Sequence, residues 1–203
     1  MKRTFMALML AMFVAGMLAA AESPWELKKD EDGVRAYVRD VEGSPIREFK
    51  GTVTVDASPE EAVRLFEEDG RMPEWFHQCT EARLLKADSA ENKVLYVVIS
   101  MPWPVKDRDL VFRRLRSRDP VTGAVEYRTS AAADVYPEQS GKVRMPYLKG
   151  LWRFTPLPDG RTEIYYQQHG EVGGHIPDWL VNKLAVNIPF NSLSRFRQLL
   201  LKK

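Results

Sequence analysis

Alternating and continuously apolar runs dominate the middle of the chain, and helical periodicity is confined to two stretches. "WELKKDE" has no apolar period and is predicted as one or two helical turns. Asp32-Gly33 then turns the chain into a strand from Val34 to Arg39. "REFKGTVTVDA" alternates polar and apolar positions and reads as a second strand, paired to the first in a hairpin around Gly43-Ser44-Pro45. "ASPEEAVRLFEEDG" is the clearest helix. Ser58 is its N-cap, Pro59 suits the first helical position, Glu61 completes a capping box, and Ala62, Leu65 and Phe66 share a face. A short helix is predicted from Pro73 to His77.

Strand-like runs follow at about 80–87, 93–101, 108–118, 124–134, 141–155 and 161–169, separated by the turn signals "DSAENK", "RDPVTG", "YPEQSG" and "PLPDG". This is a meander of antiparallel strands. The last segment, "GGHIPDWLVNKLAVNIPFNSLSRFRQLLLKK", is predicted as one long amphipathic helix. Ile176, Leu180, Leu184 and Ile188 recur every four residues, and Pro189 should bend or break it. A sheet and a helix that each have an apolar face to cover give an α+β architecture, with the sheet curling around the terminal helix.

The N-terminus changes the picture of where the chain works. Lys2 and Arg3 precede an uncharged apolar stretch from Phe5 to Leu18, and Ala19-Ala20-Ala21 offers a small-residue cleavage site. Residues 1–21 therefore read as a signal peptide, with one domain over 22–203, and the expected location is periplasmic or secreted. Cleavage would remove two positive charges and no negative one, taking the formal charge from +2 to 0. A neutral chain has no global attraction for nucleic acid, so no nucleic-acid partner is expected. Cys79 is the single cysteine, which leaves no internal disulfide; it reads as a small buried hydrophobe.

Catalytic chemistry finds little support in the residues. His77, His169 and His175 are the only histidines, and no Cys/His spacing suits a metal. No GxSxG, P-loop or dinucleotide fingerprint occurs. No metal, no cofactor and no enzymatic activity are therefore expected.

The stretches "DGVRAYVR", "EFKGTVTVDASPEEAVRLF", "EWFHQCTEARLL", "PWPVKDRDLVFRR", "GLWRFTPLPDGRTEIYY" and "GGHIPDWLVN" together resemble the START domain family. The resemblance spans nearly all of residues 24–200. It implies a helix-grip fold, in which a curved antiparallel sheet wraps a long C-terminal helix around an internal hydrophobic cavity. It further implies a lipid ligand (a sterol, phospholipid or similar molecule), no cofactor and no catalysis. A monomer making transient contact with a membrane surface is the expectation. Polyketide cyclases share the superfold, and for such an enzyme Arg114, Tyr166 and His169 would be the polar groups facing an aromatic substrate. An interaction protein with a filled core is a third possibility.

The resemblance also directs attention to particular side chains. Pro102-Trp103-Pro104 matches the loop that closes one end of the family's cavity, which makes Trp103 a candidate for ligand or membrane contact. In the strand "LVFRRL", Phe112 and Arg114 share one face and Arg113 the other; parity alone does not choose between the arginines. The family pattern implies Arg114 as a cavity arginine, paired in relatives with an acidic residue on the neighbouring strand. Here that strand is "VLYVVISM", without a carboxylate. Either a ligand head group or a hydroxyl such as that of Tyr96 must then satisfy Arg114, or it is not buried. Tyr166 and Gln168 share a strand face. Trp179, Leu180, Leu184, Asn187 and Asn191 are spaced to face the sheet or its rim. Asp107-Arg108-Asp109 reads as an internal ion-pair cluster belonging to the fold.

Overall fold

The computed structural model describes residues 23–202; the predicted signal peptide lies outside the described residues. Ser58 opens α1 (Pro59–Glu67) as its spacing predicts. Its hydroxyl accepts from the Glu61 amide at 3.3 Å, and the Glu61 carboxylate accepts from the Ser58 amide at 3.1 Å. Such a cap stabilises a helix by about 1 kcal/mol. The buried face of α1 is Ala62, Val63, Leu65 and Phe66. A 3₁₀ turn, Asp69–Arg71, leads into the single turn of α2 (Met72–Trp75).

The strands are β1 (Glu26–Glu31), β2 (Val34–Val41), β3 (Ser44–Val55), β4 (Cys79–Ala87), β5 (Asn92–Ile99), β6 (Arg108–Arg118), β7 (Val125–Ala131), β8 (Val143–Arg144), β9 (Tyr147–Pro156) and β10 (Thr162–Glu171). They form one sheet in the order β1-β2-β3-β10-β9-β7-β6-β5-β4, antiparallel throughout, with the short β8 lying parallel to β6. Two elements differ from the expectation. "ELKKDE" is an edge strand rather than helix; all but one of its residues are exposed, so it has no buried face to print an alternation into the sequence. The run 141–155 is two strands, because Pro146 offers no amide to continue a ladder.

The terminal segment is also divided. Helix α3 (Asp178–Ala185) ends at Val186, and α4 (Asn187–Leu201) begins immediately after it with Pro189 in its first turn. Helix α4 lies on the concave face against β3. It comes so near at Gly51 that a Cβ there would stand 2.7 Å from Leu193 Cδ1 and 2.9 Å from Pro189 Cβ. Glycine is what permits that approach. Leu193 and Phe196 are fully buried beneath the helix.

Strand β5 is apolar without alternation because both of its faces are covered. Leu95 and Val97 join the main core. Val94, Tyr96 and Val98 point the other way, with Val111, into a second cluster closed by Leu85, Ala132 and Tyr136. The segment 132–144 is the cover. Arg144 fastens it, with its guanidinium donating to both oxygens of Asp109 at 3.1 and 2.9 Å and to the carbonyls of Ala133, Tyr136 and Pro137.

Candidate functional site

Between the concave face of the sheet and helices α2 and α3, side chains fail to meet. The hollow left there has a cavity volume of about 140 Å³. Strands β5 and β6 contribute Val97, Leu110 and Phe112 to the wall, β9 contributes Leu148 and Trp152, and α3 contributes Val181, Leu184 and Ala185. The spacing 181, 184, 185, 188 is one helical face, completed by Ile188 at the start of α4. Rings close the inner end: Phe66 has Trp75, Tyr127, Trp152 and Phe154 within 4.6–5.7 Å, centroid to centroid.

The polar groups in this wall are few, and most are already engaged. Arg114 is buried, and its Nη1 lies 2.7 Å from Asp69 Oδ1, which the 3₁₀ turn after α1 supplies. The alignment of that ion pair satisfies no hydrogen bond for either atom. The Arg114 guanidinium also faces the rings of Phe66 and Tyr127, at 5.4 and 5.6 Å. Gln168 accepts at 2.8 Å from the hydroxyl of Tyr166, which stacks on Trp152; burial raises the Tyr166 phenol well above the usual range. His77 is approached by the Asn191 amide at 3.3 Å, and burial, with Arg195 adding to it, lowers its pKa. Arg108 is buried and donates to three backbone carbonyls. Among the described residues Trp75 Nε1 has no acceptor; its neighbours are the rings of Phe66, Phe76, Trp152 and Phe196.

A long sheet gripping a terminal helix around such a hollow has counterparts. The family model for the START domain matches residues 7–202. The chain belongs to the START domain family. A STAR-related lipid transfer protein from Xanthomonas axonopodis superposes on this START domain with a TM-score of 0.81 at 38% identity, covering 88% of the chain and 99% of that structure. An uncharacterised protein of Pseudomonas aeruginosa, PA1579, is 37% identical over 184 residues, 91% of this chain and 89% of its own. Phosphatidylcholine transfer protein from Mus musculus is 25% identical over 173 residues, covering 83% of this chain and 80% of its own.

In this START domain four of the sequence-predicted residues line the cavity: Arg114, Phe112, Gln168 and Leu184. Parity resolves as the resemblance implies, with Arg114 inward and Arg113 outward, bonded to Asp88 and Asn92. Arg114 is not left to a ligand or to Tyr96, however; its carboxylate comes from the turn after α1, not from β5. Tyr96 stands on the opposite face of the sheet, packed edge-on against Tyr136 and under Arg83. Tyr166 lies behind the wall in the core. Trp103 and Trp179 are 92% and 67% exposed and do not line the hollow. Leu180, Asn187 and Asn191 do not line it either.

The triplet Asp107-Arg108-Asp109 does not pair within itself. Asp107 accepts from the Met101 amide at 2.9 Å, Asp109 pairs with Arg144 at 2.9 Å, and Arg108 holds carbonyls. Each residue fastens a different segment. Most of the wall is absent from the sequence prediction, Arg108 and Trp75 among it. The adjoining aspartates suggest a closed charge cluster at 108, and a tryptophan beside other aromatics reads as packing. Cys79 is buried as expected. Burial pushes its thiol up to about 11, and its S–H donates to the Glu81 carbonyl.

Proposed function

We propose that the chain binds a single hydrophobic lipid in this cavity and carries it through the aqueous cell envelope, without catalysis. The observation carrying the reading is the unfilled apolar hollow between the sheet and α3. A space of that kind loses packing contacts when empty and regains them when hydrocarbon enters. Each methylene withdrawn from water contributes about 0.8 kcal/mol, so a long acyl chain gains on the order of 10 kcal/mol before ordering costs. The family, and relatives whose names include phosphatidylcholine transfer protein, support the same reading.

Exchange takes place at the end where the loop 100–107 and the link 172–177 meet. Trp103 on that loop and Trp179 at the start of α3 enter a membrane surface transiently, as exposed amphipathic rings do. The carrier works as a monomer, delivered to the periplasm or outside the cell by the signal peptide at residues 1–21. Native mass spectrometry of the purified mature chain is the test. One lipid mass per protein is expected, and a chain that neither co-purifies with a lipid nor takes one up from vesicles would refute the proposal.

A further inference from the structure

Among the described residues, the wall of the cavity contains three arginines, Arg47, Arg108 and Arg114, and no aspartate or glutamate. Two of the three are neutralised from behind. Arg47 donates to Asp40 at 2.8 Å, and Arg114 pairs with Asp69 at 2.7 Å. Arg108 differs. It is 3% exposed, and among the described residues no carboxylate oxygen lies within 4 Å of it. The neighbouring Asp107 attracts it only from a distance, having turned to the Met101 amide.

What Arg108 has instead is carbonyl oxygen. Nε donates to Val172 O at 3.1 Å, Nη1 to Lys106 O at 2.5 Å and Nη2 to Gly173 O at 2.9 Å. A guanidinium has five N–H bonds, so one on each Nη remains unused. Dipoles satisfy donors but do not cancel a charge, and an uncompensated buried cation is costly. Space beside Nη2 is kept open by Gly174, where a Cβ would stand 3.2 Å away.

We infer that the cavity selects an anionic amphiphile, whose carboxylate or phosphate is held by the free edge of the Arg108 guanidinium. The inference rests on the carrier reading above and names the class of its cargo. A planar fork with one free N–H on each terminal nitrogen suits two oxygens of one anion. The site stands where the loop 100–107 and the link 172–177 converge, so the anion sits toward the exchange end and the tail runs along the apolar wall to the rings around Phe66.

Two matched pairs of probes test it on the lipid-stripped mature protein: oleate against oleyl alcohol, and dioleoyl phosphatidate against dioleoylglycerol. The first isolates a carboxylate and the second a phosphate. Occupancy from equimolar mixtures is read by native mass spectrometry. The wild type should prefer the charged member of at least one pair by about tenfold or more. Arg108→Gln should erase that preference, and Arg108→Lys, which keeps the charge without the planar fork, should cut it by about threefold or more. Arg113→Gln, on the outer face of the same strand and outside the cavity wall, should retain it. Equal binding of both members by the wild type overturns this inference alone. So does a preference unchanged in either Arg108 variant, or one lost in Arg113→Gln. Failure to bind any of the four probes overturns the carrier reading and this inference together.

Discussion

Arg114 on β6 and Asp69 in the turn after α1 form an ion pair at 2.7 Å, with the arginine buried and the aspartate nearly so. The pair ties the first helical segment to the sheet at the inner end of the cavity. Removing one partner strands the other charge away from water, which costs about 3–5 kcal/mol. Asp69→Asn and Arg114→Met should each lower stability by that amount in urea unfolding. The double variant should cost less than the two single losses combined, because no stranded charge remains.

Gly51 is where α4 touches β3. Gly51→Ala places a methyl group within 3 Å of Leu193 and Pro189 and should cost roughly 1–3 kcal/mol. Gly70 has open space around its Cβ position, and Gly70→Ala should be neutral or slightly stabilising. Thermal unfolding of the two variants separates a packing role from a general glycine effect.

His77 lies in the cavity wall with its pKa lowered by burial below the ordinary value of 6.5. The unfolded chain therefore binds a proton more readily than the folded one. Stability falls as pH drops below about 6.5 and levels off once the folded state is protonated as well. The loss of stability between pH 7 and pH 5 should be smaller in His77→Gln than in the wild type, measured by urea midpoints at each pH.

Trp103 and Trp179 are exposed, so replacing both with serine should change stability by no more than about 0.5 kcal/mol. If they enter the membrane, the rate of fluorescent-lipid transfer between vesicles should drop roughly tenfold or more. An unchanged rate would show that the rings have no part in exchange.

Legibility from sequence follows burial. Helix α1 was readable because Ser58 and Glu61 must stand three apart for their caps to close, whatever surrounds them. The meander was readable wherever one face of a strand is wet. Where that condition fails, the pattern carries less. Strand β5 is dry on both faces, so nothing in "VLYVVI" tells which way Tyr96 points. Strand β1 is wet nearly throughout and prints no alternation. The partner of Arg114 arrives from 45 positions earlier in the chain, a contact no strand register implies. Asn187 and Asn191 stay off the hollow although Leu184 and Ile188 line it, a difference of a helical position or so that the apolar spacing does not resolve.

The cover over the outer side of β5 has a consequence for how the molecule behaves in company. Val94 to Ile99 is a six-residue apolar ribbon of β-branched and aromatic residues, the kind that stacks readily with copies of itself. Arg144 holds the shield against it through one carboxylate and three carbonyls. Loosening that single clasp would bare a sticky strip on a molecule whose surface is otherwise well supplied with charge. The same arginine, remote from the cavity, would then decide whether copies of the chain cling to one another at high concentration.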